Sequence, residues 1–359
     1  MSQLRVLHLM GALRPSGMER MFVSASPHFH ELEITSLIVG QGRMHPFSGM
    51  LKDANYEVLT ISRLRSMHGA KELFNSIRKF KPDIVHIHTE GAFAVSTLAV
   101  RLSTRAPIVR TIHNVFQPQG RALLSRSLQS WIADRFISRF VAPSPDVAIN
   151  ERAFGRNAKV ILNWVANDYL STASYVYGQD SDGKSAVIVG NCSTIKNHDL
   201  VLRSLVKGGY RVFHHGDEAE ASTEELDLLN TLESRGELMY RGTSAPLESL
   251  SQANVYVMPS TREGMPVALA EAISMGVPCL IADSPGVQWA TGIDGIQHIG
   301  LDQRDWDQAL PPSGYVRKNS QLAAPDLSAS RGAREYVELY SSLVTPSPMS
   351  PATIGESTP

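Results

Sequence analysis

Short apolar runs alternate with longer amphipathic stretches along almost the whole chain, and this alternation limits the fold more than any other feature. In the first half, the apolar runs predict strands at residues 5–10, 33–39, 57–61, 83–88, 108–113, 139–142 and 160–162. Amphipathic stretches between them predict helices, for example at 69–80 and 121–137. Short buried strands that alternate with longer helices are typical of βαβ units and a mostly parallel sheet.

The second half repeats this pattern. Strands are predicted at residues 186–189, 211–214, 238–240, 255–258 and 279–282, and helices at 198–207, 224–235, 247–252 and 266–275. The chain length of 359 residues also fits two domains, since a typical domain has about 100–200 residues. The sequence therefore predicts an α/β protein with two doubly wound Rossmann-like domains.

Changes in composition indicate where the domains end. Residues 166–184 are polar and rich in Ser, Tyr, Asp and Gly, which is typical of a linker. We therefore place the first domain at 1–168 and the second at 169–326, followed by a helix at 327–344. The tail at 345–359 is rich in Pro, Ser and Thr and is predicted to be disordered.

Net charge differs between the two halves. The whole chain has a net charge of −1, but residues 1–168 carry 21 Lys and Arg against 12 Asp and Glu, a balance of +9. The near-neutral total argues against a general nucleic-acid binder. The basic first half predicts an anionic ligand, or salt-sensitive peripheral contact with an anionic membrane. The apolar residues of the 121–137 stretch, including Trp131 and Phe136, are expected to pack in a core.

Cysteine content and hydropathy exclude several classes of protein. The two cysteines, Cys192 and Cys279, are far apart in apolar surroundings, so we expect neither a disulfide scaffold nor a four-ligand zinc site. No apolar run approaches the ~20 residues that span a bilayer, and the first residues lack the pattern of a secretion signal. We therefore expect a cytoplasmic protein with reduced, buried cysteines.

Open parallel sheets bind ligands beyond the carboxyl ends of their strands, so residues that follow strands are candidate site residues. The loop at 11–20 leads from the first predicted strand into a helix and contains Gly17, which suits phosphate binding. It lacks the G-x-G-x-x-G pattern, which argues against an NAD(P) dehydrogenase. His86 and His88 project to one face of a strand and His113 ends another, and packed or cleft-lining histidines are favoured because zinc needs more ligands.

In the second domain, a glycine and a lysine flank one strand-to-helix loop. Gly190 ends the strand and Lys196 lies just before the helix. A lysine there can contact a phosphate, while the glycine lets the ligand approach the backbone. An ordinary solvent-exposed lysine is the alternative at this position.

The strongest signal is a pair of carboxylates eight residues apart. Glu263 follows a predicted strand, whereas Glu271 lies within the helix that Pro266 is expected to open. The two can therefore contact different parts of one elongated ligand. The backbone N–H groups of Gly264 and Met265, at the positive end of that helix, can face negative charge between them.

The order and spacing of these motifs resemble the retaining glycosyltransferases of the GT4 type, which have the GT-B fold. Matching segments occur along nearly the whole chain, at 16–19, 82–88, 111–113, 142–144, 163–165, 190–196, 216–217, 241–242 and 259–264. The Glu263-x7-Glu271 pair resembles the diagnostic motif of that family, and 334–340 resembles its closing helix, which usually crosses back onto the first domain. The resemblance implies two domains that face each other across a cleft, and transfer of a hexose-type sugar from a nucleoside diphosphate.

The resemblance also implies roles for individual residues. Glu263 would contact the donor sugar, Glu271 the ribose hydroxyls and Lys196 the diphosphate, while His113 would lie beside the sugar and the acceptor. The catalytic residues would be Glu263, His113 and Lys196. The implied donor-binding residues are Gly17, Gly190, Asn191, Lys196, Arg241, Glu263, Gly264, Met265, Pro266 and Glu271. The implied acceptor-side residues are Ser16, His88, His113 and Asn114.

In such enzymes, positive charge and helix-end amides stabilise the departing phosphate, so the resemblance implies a reaction without a metal ion or a cofactor. It also implies retention of configuration. Front-face attack and a covalent intermediate on Glu263 are both left open by the sequence. A UDP-sugar is favoured over a GDP-sugar as donor, and the acceptor would be a polysaccharide, a lipid-linked molecule or a natural product.

Three positions depart from the family pattern, and the segment after Gly286 is shortened or degraded. Ser16 stands where the first loop glycine is usual. Trp164 stands where a glycine is usual. Asn191 stands where an arginine is usual, so one diphosphate cation is missing unless Arg14, Arg20 or Arg262 replaces it. Asn191 therefore supports a second hypothesis, a catalytically silent family member that acts as a partner or scaffold protein.

Overall fold

The computed structural model describes residues 3–90, 93–115, 127, 129–131, 133–176, 184–310 and 324–344. These residues form two α/β domains, each with a parallel sheet, in agreement with the prediction from sequence. The predicted tail lies outside the described residues, as do residues 121–126, 128 and 132 of the predicted helix at 121–137. Among the helices that can be described, none is both long and apolar enough to cross a membrane.

The first domain contains a seven-stranded parallel sheet flanked by helices. Its strands are β1 (Leu4–Met10), β2 (Ile34–Gln41), β3 (Glu57–Ile61), β4 (Ile84–Ile87), β5 (Ile108–Thr111), β6 (Arg139–Ala142) and β7 (Ala158–Val160), in the spatial order β3-β2-β1-β4-β5-β6-β7. Its helices are α1 (Gly17–Glu31), α2 (Ser48–Asp53), α3 (Met67–Phe80), α4 (Phe93–Ser103) and α5 (Pro145–Arg152). The central strand β4 is buried along its whole length, because helices cover both faces of the sheet.

The second domain contains a six-stranded parallel sheet. Its elements are α6 (Asn167–Val176), β8 (Ser185–Val189), α7 (His198–Gly208), β9 (Arg211–His215), α8 (Thr223–Ser234), β10 (Leu238–Gly242), α9 (Leu247–Gln252), β11 (Val255–Met258), α10 (Val267–Ser274), β12 (Cys279–Ala282), β13 (Ile296–Ile299) and α11 (Gln303–Ala309). The strand order is β10-β9-β8-β11-β12-β13. Strand β13 was not predicted, because two polar residues, Gln297 and His298, lie between its isoleucines and leave no continuous apolar run.

Part of the predicted linker is a helix. Residues 167–176 form α6, whereas the sequence analysis expected 166–184 to be a polar connection. The reason is packing, because Tyr169 is buried in the core of the second domain and Leu170 lies against the same core. These two side chains indicated a helix packed on a core, but the polar composition of the whole stretch obscured that signal.

Trp131 does not pack in a core, so the expectation for this residue is wrong. Its side chain is 66% exposed, and Cζ of Arg135 lies 5.5 Å from the centre of its ring. Ala133, two residues further on, is buried beside Phe93. Residues two apart point in very different directions on a helix, so only one of the two can face that core.

A final helix, α12 (Ala329–Val344), packs against α1 of the first domain. Tyr336 and Tyr340 of α12 share a core with Met21 of α1. Trp164 lies in the same core, and its indole N–H donates to the Met21 carbonyl oxygen at 3.0 Å. A Cβ added at Gly332 of α12 would lie 2.2 Å from Trp164, so the glycine makes room for this tryptophan.

Candidate active site

The N-termini of α1 and α10 meet across the cleft between the domains. A Cβ added at Gly17, the first residue of α1, would lie 3.0 Å from Cγ2 of Val267, the first residue of α10. Both helix ends present backbone N–H groups and partial positive charge. Their approach favours an anionic group in the adjacent space.

A cavity of about 260 Å³, here called the donor cavity, lies beside these two helix ends. Residues of both domains line it, and they include two cationic side chains, Lys196 and Arg20, and one carboxyl group, Glu271. Several of the predicted donor-binding residues are brought together here, namely Gly17, Gly190, Asn191, Lys196, Pro266 and Glu271.

Lys196 and Glu263 form an ion pair beside the donor cavity. Nζ of Lys196 donates to Oε1 of Glu263 at 2.7 Å, and the two side chains are 25% and 10% exposed. The lysine reaches this position by lying over Gly190, where an added Cβ would be 3.0 Å from Lys196 Cε. A side chain at residue 190 would therefore push the ammonium group away from Glu263.

The loop that carries Glu263 is held from both sides. A Cβ added at Gly264 would lie 1.7 Å from the carbonyl oxygen of His113 in the first domain. The Ser144 hydroxyl donates to the Gly264 carbonyl oxygen at 2.6 Å and also caps α5 by accepting from the Val147 N–H. On the other side, a Cβ at Gly286 would lie 1.9 Å from the Glu263 carbonyl oxygen. The position of Glu263 therefore depends on contact between the domains.

Met265 contacts Asn163 through both its side chain and its backbone, and its sulfur accepts from the Asn163 N–H at 3.1 Å. Its side chain is buried in the core of the second domain. The Asn163 side-chain amide donates to the Met265 carbonyl oxygen at 2.7 Å. Asn163 thus fixes the chain at the point where it enters α10.

Glu271 is a buried carboxyl group at the wall of the donor cavity. It is 5% exposed, and burial raises the pKa of its carboxyl group to about 7, while the charge of Arg20 opposes that rise. Arg20 also donates to the Thr243 carbonyl oxygen at 3.0 Å, which joins α1 to the second domain. Near neutral pH, Glu271 therefore exists in both protonation states.

We expect Glu271→Gln to raise stability at alkaline pH while weakening nucleotide binding. Because the folded-state pKa is raised, the stability that this carboxyl group contributes is present at low pH and lost as the pH rises through 7. The substitution should stabilise the protein by about 3 kcal/mol at pH 8, with the gain shrinking towards zero near pH 4. Urea unfolding at several pH values measures this difference.

The matched control for that experiment is Glu248→Gln, which changes an exposed carboxylate of the same domain. Wild-type nucleotide affinity should fall about tenfold between pH 8 and pH 6, because the ionised form accepts hydroxyl hydrogen bonds. A stability gain independent of pH, or an affinity that does not change with pH, would contradict the role of Glu271.

Two predicted donor-binding residues are engaged elsewhere. The guanidinium group of Arg241 does not line the donor cavity, because Glu218 holds it through two hydrogen bonds of 2.8 Å. Asn191 does line the cavity, but its side-chain oxygen accepts a hydrogen bond from the Asp217 N–H at 3.0 Å. Asn191 is uncharged, so the two cations that line the cavity are Lys196 and Arg20.

A second cavity, of about 680 Å³, lies in the first domain beyond the ends of β1 to β4 and is here called the acceptor cavity. Ser16 and His88, both predicted as acceptor-side residues, line it. So do three arginines, Arg14, Arg63 and Arg65. Within the described residues, the side chains of these arginines form no ion pair, and they outnumber the two carboxyl groups of the wall, Glu19 and Glu90.

The predicted His88 and His113 form a chain of rings with His8 below the acceptor cavity, in which His8 and His88 are buried and His113 is half-buried. Nδ1 of His8 and Nε2 of His88 are 3.3 Å apart, as are Nδ1 of His88 and Nε2 of His113. Burial lowers the pKa of His113 to about 4 and that of His8 to about 3, so both are neutral at pH 7. Asn114 is exposed, and its N–H lies near Gly264.

Several residues that the sequence analysis did not include among the site residues support this arrangement. Glu90 lines the acceptor cavity and accepts the His113 N–H at 2.6 Å. The buried carboxylate of Glu19 accepts the Ser16 hydroxyl. Ser144 and Asn163 position the loop of Glu263, as described above. The matching segments at 16–19, 142–144 and 163–165 contain three of these residues, and Glu90 comes soon after β4.

Comparison with known proteins gives the class to which this fold and cleft belong. Residues 15–168 match the family model described as Glycosyltransferase Family 4, and residues 174–306 match the model described as Glycosyl transferases group 1. Together the matches take in most of the chain, which is a glycosyltransferase of the GT-B fold. Within that class, the first domain is similar to family 4. The expected GT-B fold is confirmed.

Individual relatives are distant but cover much of the chain. The putative glycosyltransferase EpsF of Bacillus subtilis (strain 168) is 24% identical over 94% of this chain and 91% of its own length. A UDP-Gal:alpha-D-GlcNAc-diphosphoundecaprenol alpha-1,3-galactosyltransferase of Escherichia coli is 22% identical over 63% of this chain and 64% of its own length. The crystal structure of Anabaena Alr3699/HepE in complex with UDP-glucose aligns with a TM-score of 0.75 at 16% identity, covering 95% of this chain and 100% of that chain.

Proposed function

We propose that this glycosyltransferase transfers a hexose from a UDP-sugar to a diphosphate-linked lipid or glycan acceptor, with retention of configuration and without a metal ion in the reaction. The observation that carries the proposal is the Lys196–Glu263 ion pair beside a cavity that also contains Arg20 and Glu271. The order of groups matches an elongated ligand, with Glu271 for the ribose, the cations for the diphosphate and Glu263 for the sugar.

The proposed chemistry is departure of the nucleoside diphosphate from the anomeric carbon. The bond between that carbon and the β-phosphate oxygen breaks, and a bond to the acceptor oxygen forms on the same face. The acceptor proton passes to the departing phosphate oxygen. Lys196, Arg20 and the N-termini of α1 and α10 stabilise the negative charge on the leaving group, which is the task that a metal ion performs in other transferases.

Four observations support the choice of substrates. A structural relative, HepE, has been crystallised with UDP-glucose, and the name of the Escherichia coli relative specifies a UDP-sugar and a diphosphoundecaprenol-linked acceptor. In this chain, the acceptor cavity is lined by Arg14, Arg63 and Arg65, which suit a phosphorylated acceptor. The exposed Trp131 beside Arg135 also suits contact with a membrane surface that holds a lipid-linked acceptor.

The test is a panel of UDP-, GDP- and dTDP-sugars, with nucleotide release and thermal stability as readouts. Binding of the correct donor raises the melting temperature, because a ligand stabilises the state that it binds. We expect the UDP-sugars to give the largest shifts, without added divalent cations, and NMR of the product to show the donor's anomeric configuration. If no sugar nucleotide binds, the catalytically silent scaffold hypothesis is favoured instead.

We expect the double variant Arg63→Ala/Arg65→Ala to weaken use of a diphosphate-linked acceptor. Each guanidinium group can form charge-assisted hydrogen bonds to phosphate, so the acceptor KM should rise about 10–100-fold. The KM for the UDP-sugar should stay unchanged, because neither residue lines the donor cavity. Steady-state kinetics with each substrate varied in turn measures both constants.

The matched control is Arg105→Ala/Arg152→Ala, which removes the same charge from exposed sites of the first domain. An equal rise in acceptor KM in both double variants would indicate a general effect of net charge. That result would contradict a specific acceptor site at Arg63 and Arg65.

A further inference from the structure

The second domain contains a buried cluster of four side chains that can ligate a metal ion, apart from the donor cavity. The cluster consists of Cys192 in the loop after β8, His198 at the start of α7, His214 in β9 and Glu225 in α8. Each of the four residues is at most 3% exposed. Their ligand atoms all lie within 4.8 Å of one another.

The distances within the cluster are close to those around a tetrahedral zinc ion. Sγ of Cys192 lies 3.5 Å from Nε2 of His214 and 3.9 Å from Nδ1 of His198. Nδ1 of His198 lies 2.9 Å from Oε1 of Glu225. Ligand atoms at tetrahedral positions are about 3.3–3.7 Å apart, because Zn–N and Zn–O bonds are about 2.0–2.2 Å long and Zn–S bonds about 2.3 Å. Small movements of the side chains would therefore bring all four ligands to one ion.

Hydrogen bonding alone does not satisfy these groups. Oε1 of Glu225 is buried and accepts no aligned hydrogen bond in the described part of the chain, despite its contact with His198. A buried carboxylate without such partners is costly. One thiolate and one carboxylate with two neutral imidazoles would balance the charge of a divalent cation, so a bound ion would remove that cost.

The surroundings of His214 also fit metal binding. Its second ring nitrogen, Nδ1, is buried without a hydrogen-bond partner in the described part of the chain, and Oε1 of Glu218 lies 3.8 Å away, slightly beyond hydrogen-bond distance. Glu218 is held in turn by the paired hydrogen bonds from Arg241. A carboxylate behind a ligating histidine is a common feature of zinc sites, because it orients the ring and raises its basicity. Arg241 therefore holds Glu218 near His214 and does not line the donor cavity.

The histidine cluster of the first domain is a weaker candidate. His8, His86 and His88 also lie close together. However, His86 uses both ring nitrogens in hydrogen bonds, at 2.7 Å to Tyr340 and 2.8 Å to Thr111. Neither nitrogen of His86 is therefore available to a metal ion without loss of a buried hydrogen bond.

We propose that Cys192, His198, His214 and Glu225 bind one structural zinc ion that fixes the loop between β8 and α7. The four protein ligands fill a tetrahedral site, so no position is left for catalytic water. Cys192 and His198 lie on either side of Lys196 in the sequence, and the Cys192 N–H donates to the Asp217 carbonyl oxygen at 2.8 Å. The ion would therefore hold the segment that carries Lys196 while remaining outside the reaction itself.

The test is the metal content of the purified full-length protein, measured by mass spectrometry, together with the absorption spectrum after exchange with Co²⁺. We expect about one zinc ion per chain, and a cobalt spectrum with the charge-transfer band of a thiolate ligand. Removal of the zinc by a chelator should lower the melting temperature, and added zinc should restore it. These readouts do not depend on the proposed transfer reaction.

Cys192→Ser should lose the zinc and the thiolate band, because a hydroxyl is a poor ligand for zinc. The matched control is Cys279→Ser, since Cys279 is equally buried but lies outside the cluster. The proposal is overturned if the wild-type protein holds no stoichiometric zinc or cobalt after incubation with either ion under reducing conditions. It is also overturned if Cys192→Ser binds as much metal as the wild type.

Discussion

Glu263→Ala is expected to abolish sugar transfer while leaving nucleotide binding largely intact. Glu263 holds the ammonium group of Lys196 at 2.7 Å, in the position proposed for the donor sugar. Loss of the carboxylate removes a contact to the sugar and frees Lys196 from its place beside the leaving phosphate. Loss of one preorganised electrostatic group in an active site lowers kcat by about 10²–10³-fold. Because Glu263 affects two such contacts, we expect kcat to fall by at least about 10³-fold.

The measurement is UDP release at saturating donor and acceptor, with UDP affinity determined by calorimetry. The affinity should change little, because Arg20 and Glu271 remain in the donor cavity. The control is Glu248→Ala, in which the carboxylate is exposed on the same domain. A kcat for Glu263→Ala within threefold of the wild-type value would exclude the proposed role.

Glu263→Gln separates the two mechanisms that the sequence leaves open. Glutamine keeps hydrogen-bonding capacity and similar volume but cannot form a glycosyl ester. If Glu263 is a covalent nucleophile, this variant should be as inactive as Glu263→Ala. If the acceptor attacks from the front face, Glu263→Gln should retain clearly more activity, because the contact to the sugar is partly preserved.

Gly264→Ala is expected to have the second largest effect, because it prevents the domains from meeting. The added Cβ would lie 1.7 Å from the His113 carbonyl oxygen, and both sides of this contact are backbone. No side chain can move aside, so the Glu263 loop must shift away from the first domain. Overpacking of this kind costs about 1–3 kcal/mol of stability, and the displaced Glu263 should reduce kcat by about 10² or more.

Chemical denaturation, steady-state kinetics and small-angle X-ray scattering measure these effects, and scattering should show a more open arrangement of the domains. Gly49→Ala is the matched control, since Gly49 lies in α2 with no atom within 4 Å of an added Cβ. That control should be neutral or slightly stabilising, by less than about 1 kcal/mol. Wild-type activity in Gly264→Ala would show that this interdomain contact does not position Glu263.

Much of the fold could be predicted because central parallel strands are buried on both faces. Burial makes them continuous apolar runs that are visible in one dimension, and the predicted strand at 255–258 agrees with β11. Elements with mixed patterns were missed, including the edge strand β13 and helix α6, which rests on tertiary packing of Tyr169. The sequence analysis also placed Trp131 in a core, although its side chain is exposed. Which side of a helix faces the core depends on tertiary packing.

The candidate site could be predicted where a residue directly follows a strand or opens a helix. Gly17, Gly190, Lys196 and Glu271 satisfy that rule or belong to a spaced motif, and all of them line the donor cavity. Arg241 directly follows the strand predicted at 238–240, yet its guanidinium group pairs with Glu218 and does not line the donor cavity. Which carboxylate pairs with a cation depends on side chains that are distant in sequence.

The sequence by itself determined the class of fold and the family, because the alternation of strands and helices and the spacing of Glu263 and Glu271 are properties of the linear chain. Only the tertiary structure decided which charges meet. Arg20 of the first domain and Lys196 of the second domain line one cavity, and Cys192 lies close to two histidines and a glutamate from other elements of the second domain. Burial and distance between side chains control such contacts, and neither is visible before the chain folds.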